Sequence, residues 1–87
     1  MKRVAVFGMG YVGCVTAACL ARDGNRVVGV DIDADKVAAV NTGQSPVAEP
    51  GLAEMVGPAV ADGSLSATTD VDRAVGETEG GLIAGGT

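Results

Sequence analysis

Residues 3–13 read Arg3-Val4-Ala5-Val6-Phe7-Gly8-Met9-Gly10-Tyr11-Val12-Gly13, a short apolar and β-branched run that meets three glycines spaced G-x-G-x-x-G. The run Arg3 to Phe7 is expected to be a buried strand. Tyr11 to Asp23, rich in Ala and carrying Leu20, is expected to be a helix closed by Gly24. Each glycine then has a mechanical task. Gly8 permits the tight turn, Gly10 lets the backbone approach a ligand with no side chain intervening, and Gly13 lets the helix pack closely on the strand.

Working outward, Arg26 to Val30 (RVVGV) reads as a second buried strand, and it ends in Asp31, 18 positions beyond Gly13. Ala34 to Asn41 reads as a helix with Gly43 after it. Gln44 to Gly51, with two prolines and a glycine, reads as a loop. Leu52 to Asp62 starts as a helix that Gly57-Pro58 is expected to kink or end, because proline removes a donor and clashes one turn back. Leu65 to Thr68 is a possible third strand, Thr69 or Asp70 caps a short helix through Val75, and Leu82 to Ala84 is the fourth and weakest strand. Alternating strands and helices imply an α/β fold: a partial Rossmann-type doubly wound sheet, mainly parallel, of about four strands with right-handed crossovers.

A strand, a glycine turn and a helix start in this order form a dinucleotide-binding pattern. The N–H groups of Tyr11 and Val12 face a pyrophosphate, and the helix macrodipole adds roughly half a positive charge. Asp31, at the carboxyl end of the second strand, is placed to accept hydrogen bonds from a ribose diol. Its plainer reading is a solvated or helix-capping acid. Asp31, Asp33 and Asp35 together would repel a 2′-phosphate, which favours NAD over NADP, and Lys36 is the only nearby cation. Lys36 reads equally as a cofactor contact and as a solvated surface residue. Cys14 sits beside Gly13 near the helix start, where a thiol's pKa tends to fall, although packing against the first strand is its simpler role.

Composition sets the outer bounds. Eighty-seven residues make one small domain, which buries only about three-fifths of its extended-chain surface and is marginal alone. The net charge of −5 argues against a nucleic-acid surface, and the absence of histidine removes the commonest general base and metal ligand. No catalytic residue and no metal ligand is assigned. Cys14 and Cys19 lie ~140° apart on a helix and are expected to be free thiols, which fits a cytoplasmic setting. A leader-peptide reading of residues 1–20 is weakened by Gly8, Gly10, Gly13 and Thr16, and no run reaches the ~20 apolar residues of a membrane span.

FGMGYVG (residues 7–13), VVGVDIDADKVAAVNTGQSPVAEPGL (27–52) and GSLSATTD (63–70) together resemble the amino-terminal NAD-binding segment of the UDP-glucose/GDP-mannose dehydrogenases, with a slight lean to the GDP-mannose branch. The SPVAEPGL loop discriminates, since an ordinary dinucleotide-binding domain has no reason to place it there. The resemblance runs from Met1 to about Asp70. It implies a nucleotide-sugar 6-dehydrogenase of polysaccharide biosynthesis, oxidising a C6 alcohol to the carboxylate with two NAD in succession. It also implies that Tyr11 and Val12 contact the pyrophosphate, Asp31 the adenosine ribose, Lys36 the same cofactor edge, and Thr87 the far side of the cleft.

The family's catalytic residues lie beyond residue 87, so residues 1–87 are read as a truncated NAD-binding domain. On that reading the substrate-binding and catalytic domains are expected to be absent here, turnover is not expected of these residues alone, and the nucleotide sugar and a homo-oligomer are expected only with the full-length family's downstream domains. EGGLIAGGT (79–87) departs from the family, whose apolar fourth strand runs into a V-G-T-P-like turn, and this weakens Thr87 as a binding residue. A stand-alone dinucleotide-binding or interaction module without catalysis, pairing through an exposed fourth strand, is the alternative reading. An FAD-binding protein is a third.

Overall fold

The computed structural model describes residues 2–76 and the strand segment 81–84. Its elements are β1 (Arg3–Phe7), α1 (Tyr11–Arg22), β2 (Arg26–Val30), α2 (Ala34–Asn41), α3 (Leu52–Ala61), β3 (Leu65–Thr68), α4 (Val71–Gly76) and β4 (Gly81–Ala84). The strands form one four-stranded sheet in the order β3-β2-β1-β4. All three pairings are parallel, with Val4 opposite both Val27 and Gly81, and Val27 opposite Leu65. The chain steps outward from β1 to β2 to β3 and then returns to the other side of β1. The carboxyl ends of β1 and β4 therefore flank the switch point at which open α/β sheets bind ligands.

Both faces of the sheet are covered, so the strands read as unbroken apolar runs rather than alternating ones. Val4, Val6, Val27, Leu65 and Ala67 pack with Cys14, Ala17 and Ala21 of α1, Val40 of α2, and Leu52, Val56 and Ala59 of α3. Ala5, Val28 and Val30 face the other way, where Ala74 of α4 packs on them and the half-buried Phe7 of β1 packs beside them. The alanines of α1 leave room for α3 to lie close against it.

Local chemistry sets the boundaries. Gly24 has φ +97° and ends α1. The Asp33 carboxylate accepts from the Asp35 and Lys36 N–H groups and caps α2, and Gly43, at φ +79°, follows it. The Asn41 side chain accepts from the Ala67 N–H (2.8 Å) and donates to the Ala67 carbonyl (2.9 Å), clipping the end of α2 to the edge strand β3. In the loop before α3 the Ser45 hydroxyl donates to the Val47 carbonyl. Gly51 then turns the chain into α3 at φ +83°. Asp70 accepts from the Arg73 N–H and caps α4.

Of the two outcomes expected at Gly57-Pro58, a kink or an end, the end is overturned: α3 runs through the pair to Ala61. A proline inside a helix costs ~3 kcal/mol, whereas burying Leu52 and Val56 alone stabilises by ~1.5–3 kcal/mol each. Both are fully buried, and Ala59 lies beside them. Pro58 and Glu54 are on the exposed side, where water can satisfy the Glu54 carbonyl that loses its partner. Gly57 serves packing instead: a Cβ there would stand 3.4 Å from the Gly43 carbonyl oxygen, so the two glycines let the end of α2 approach α3. Among the described residues no helix is long and apolar enough to cross a membrane.

Candidate functional site

The turn between β1 and α1 is built almost entirely from main chain. Gly8 takes φ +94°, a conformation that suits glycine, and its N–H donates to the Val30 carbonyl at 2.7 Å, extending the β1–β2 ladder by one step. Gly10 is extended (φ −77°, ψ −167°) and buried, so its lack of a side chain matters for space rather than for dihedral freedom. It is the N-cap of α1 and supplies no side-chain acceptor, and the first turn holds no acidic residue. The N–H groups of that turn thus receive no side-chain cap, and they point the positive end of a 12-residue helix outward. Gly13 is buried on the inner face of α1. Tyr11 and Val12 stand half-exposed at the rim.

Asp31 closes the other side. Its Oδ2 accepts from the Met9 N–H at 2.8 Å and its Oδ1 from the Asp33 N–H at 2.9 Å, so the carboxylate bridges the end of β2 to the glycine turn. Desolvation pushes its pKa up, but the N–H groups of Asp33, Met9 and Ile32 and the Lys36 charge outweigh that and leave it lowered. The Lys36 charge also acts on Cys14, and Lys36 lies in the first turn of α2, just past the end of β2. Charge–dipole attraction from oriented backbone amides together with one fixed carboxylate is what an acidic domain needs to bind an anionic ligand that also carries a diol.

The structure brings Gly8, Gly10, Tyr11, Val12, Gly13, Asp31 and Lys36 to one end of the sheet. Thr87 lies outside the described residues. The idea of a lowered Cys14 pKa is corrected: burial pushes the thiol up to about 11, with the Lys36 charge opposing and the Asp31 charge adding to the rise. Cys14 is buried and its Sγ donates to the Met9 carbonyl at 3.5 Å, which makes it a packing residue of the turn. Both cysteines are free.

Sequence reasoning missed two residues. Met9, the variable position of the motif, is fully buried. Gly29 lies beneath it, where a Cβ would fall 2.4 Å from the Met9 Sδ and 2.8 Å from its Cε. A glycine inside a strand signals a close approach of this kind and was available in RVVGV. Two surface hollows, one bounded by Ala18, Glu54, Met55 and Asp62 and one by Arg3, Arg26, Ser66 and Arg73, include no residue of the glycine turn. What marks the turn is its uncapped main-chain donors at the start of α1.

Comparison with known proteins agrees with this geometry. The family model described as UDP-glucose/GDP-mannose dehydrogenase family, NAD binding domain, matches residues 2–87. A GDP-mannose 6-dehydrogenase of Azotobacter vinelandii is 48% identical over 85 residues, covering 98% of this chain and 20% of that protein. A UDP-glucose 6-dehydrogenase of Bacillus subtilis is 44% identical over 87 residues, covering all of this chain and 19% of that protein. The crystal structure of a ternary complex of a GDP-mannose dehydrogenase from Pseudomonas aeruginosa superposes with TM-score 0.88 at 41% identity, over 100% of this chain and 20% of that one. A UDP-glucose dehydrogenase from Pyrobaculum islandicum gives TM-score 0.89 at 40% identity over the same shares. The chain spans about one fifth of the length of these relatives.

Proposed function

The chain belongs to the UDP-glucose/GDP-mannose dehydrogenase family, of which it supplies the NAD-binding domain, and on that premise we propose that it holds NAD for a nucleotide-sugar 6-dehydrogenase, in which a C6 alcohol becomes a carboxylate with two NAD consumed in succession. NAD when bound supplies the hydride acceptor. The N–H groups of Tyr11 and Val12 donate to the diphosphate, with the α1 dipole behind them, and Gly10 leaves the approach clear. Asp31 accepts from the adenosine ribose hydroxyls, and Lys36 borders the same edge.

The observation that carries this reading is the Asp31 carboxylate, held ionised against the uncapped start of α1. A fixed negative charge there favours a ribose diol and disfavours a 2′-phosphate, so NAD rather than NADP is the cofactor. The nucleotide sugar, the catalytic side chains and any contacts between subunits then belong to the remaining four-fifths of the length seen in relatives. The lean toward GDP-mannose comes from the residues of FGMGYVG, VGVD and LSATTD; GDP-mannose 6-dehydrogenases match at 41–48% identity over 98% of this chain, and UDP-glucose 6-dehydrogenases at 44% over 100% and 53% over 80%. Two free thiols favour a reducing, cytoplasmic setting.

Thermal unfolding with each dinucleotide tests the cofactor assignment: at equal concentration NAD raises the Tm more than NADP does. Equal shifts, or a larger one with NADP, overturn the Asp31 assignment.

A further inference from the structure

The Met9 peptide is held from three directions. Its N–H donates to Asp31 Oδ2 at 2.8 Å, its carbonyl accepts from Cys14 Sγ at 3.5 Å, and its side chain is pressed, fully buried, over the bare Cα of Gly29. One residue earlier, the Gly8 N–H is fixed to the Val30 carbonyl at 2.7 Å. The Asp31 carboxylate is itself locked, because its second oxygen accepts from the Asp33 N–H at 2.9 Å. The glycine turn therefore has its shape while Asp31 has both oxygens on main-chain donors.

We propose that Asp31 is a positioning residue for the diphosphate-binding turn, acting through the Met9 N–H, in addition to any contact with a ribose, and that Met9, Gly29 and Cys14 complete this clamp. The inference rests on the reading of the turn as an NAD site. Its physical basis is preorganisation. The glycines that make room for a diphosphate also give the turn more freedom to lose, and a turn already fixed by the protein spares the ligand that ordering cost. An acid that only bonded ribose hydroxyls would have no need to hold Met9. Each carboxylate oxygen has a second lone pair, so clamping and ribose binding are compatible.

The two roles separate when the ribose hydroxyls are removed from the ligand. Calorimetry on the full chain measures Kd for NAD and for its 2′,3′-dideoxyadenosine analogue, with wild type, Asp31→Ala and Asn41→Ala. The last variant loses both hydrogen bonds between Asn41 and the Ala67 main chain, neither of which involves Met9 or Asp31, and controls for general loss of stability. Asp31→Ala is expected to weaken the analogue about tenfold, the scale of one charge-assisted hydrogen bond, while Asn41→Ala leaves it unchanged. Gly29→Ala, which displaces the Met9 side chain without touching a carboxylate, weakens NAD and the analogue by the same factor.

If Asp31→Ala weakens NAD and spares the analogue, the carboxylate serves the ribose alone, and the clamp is wrong while the NAD reading stands. If Asn41→Ala weakens the analogue as much as Asp31→Ala, the loss is one of stability and the clamp is again wrong. Failure of NAD to bind the unaltered chain overturns the NAD reading and the clamp together.

Discussion

Adding a single methyl group at Gly29 probes how tightly the turn is packed. In Gly29→Ala the new Cβ falls 2.4 Å from the Met9 Sδ, 2.8 Å from its Cε and 3.3 Å from its Cγ. Ordinary contacts of this type sit at about 3.5–4.0 Å, so the sulfur must withdraw by more than about 1 Å. Met9 is fully buried in a cluster with Val4, Val6 and Cys14, so its flexible side chain has to repack among those neighbours to make room. Overpacking of this kind costs about 1–3 kcal/mol. Replacing glycine by alanine returns about 0.4–1 kcal/mol by restricting the unfolded chain. The expected net destabilisation is about 1.5 kcal/mol, or about 6–12 °C in Tm for a domain of this size.

Urea unfolding at fixed pH, with Tm as a second measure, tests this magnitude. The double variant Gly29→Ala with Met9→Ala relieves the clash. It should be more stable than the sum of the single changes allows, by about 0.5–3 kcal/mol of coupling. A Gly29→Ala chain as stable as wild type, or strictly additive single and double variants, would refute the packing of Met9 on Gly29.

Other perturbations reach the remaining parts of the account. With its pKa pushed up to about 11, Cys14 has about one thiolate in a thousand at pH 8. A disulfide reagent should therefore titrate about one fast thiol, the half-exposed Cys19, in the native chain and two in denaturant, and two fast native thiols would contradict the burial of Cys14. The folded-state pKa of Asp31 is lowered, so its contribution to stability is present above the unfolded value of ~3.9 and is lost as pH falls through the folded value. Wild type should then lose stability more steeply than Asp31→Asn below about pH 4, and parallel curves would count against the contacts with Met9 and Asp33. Pro58→Ala restores a donor toward the Glu54 carbonyl on the exposed face of α3 and should stabilise by about 1–2 kcal/mol, less than the full ~3 kcal/mol proline penalty because the unfolded chain gains freedom. A lower Tm for this variant would mean that the ring itself is needed there.

These perturbations also mark where local sequence was and was not sufficient. RVAVF, RVVGV and the glycine spacing located β1, β2 and the turn because strand patterning and positive-φ glycines are local demands, met at Gly8, Gly24 and Gly43. Pro58 misled because its penalty is local whereas the burial that outweighs it is tertiary. The Leu52, Val56 and Ala59 spacing was the signal that a single apolar face ran through the proline. For Cys14 the packing role favoured from sequence holds, and only the expected fall in its pKa does not: nearness to a helix start is visible in sequence, and desolvation by packed neighbours is not. Met9 was passed over because the motif leaves its position open, yet the fold makes it the residue that the turn is anchored by. Asp31 was placed correctly at the end of β2, while its bond to the Met9 N–H required the two strand ends to be seen side by side.

The central claim is that main-chain donors at the start of α1 hold a dinucleotide diphosphate. Amide NMR during titration with NAD examines those donors directly. The account predicts that the largest shifts fall on Gly10, Tyr11, Val12 and Gly13, with Met9 and Asp31 following, and that inorganic pyrophosphate alone moves the first four. Shifts centred instead on the α1–α3 hollow around Met55 and Asp62, or none at the glycine turn at saturating NAD, would contradict it.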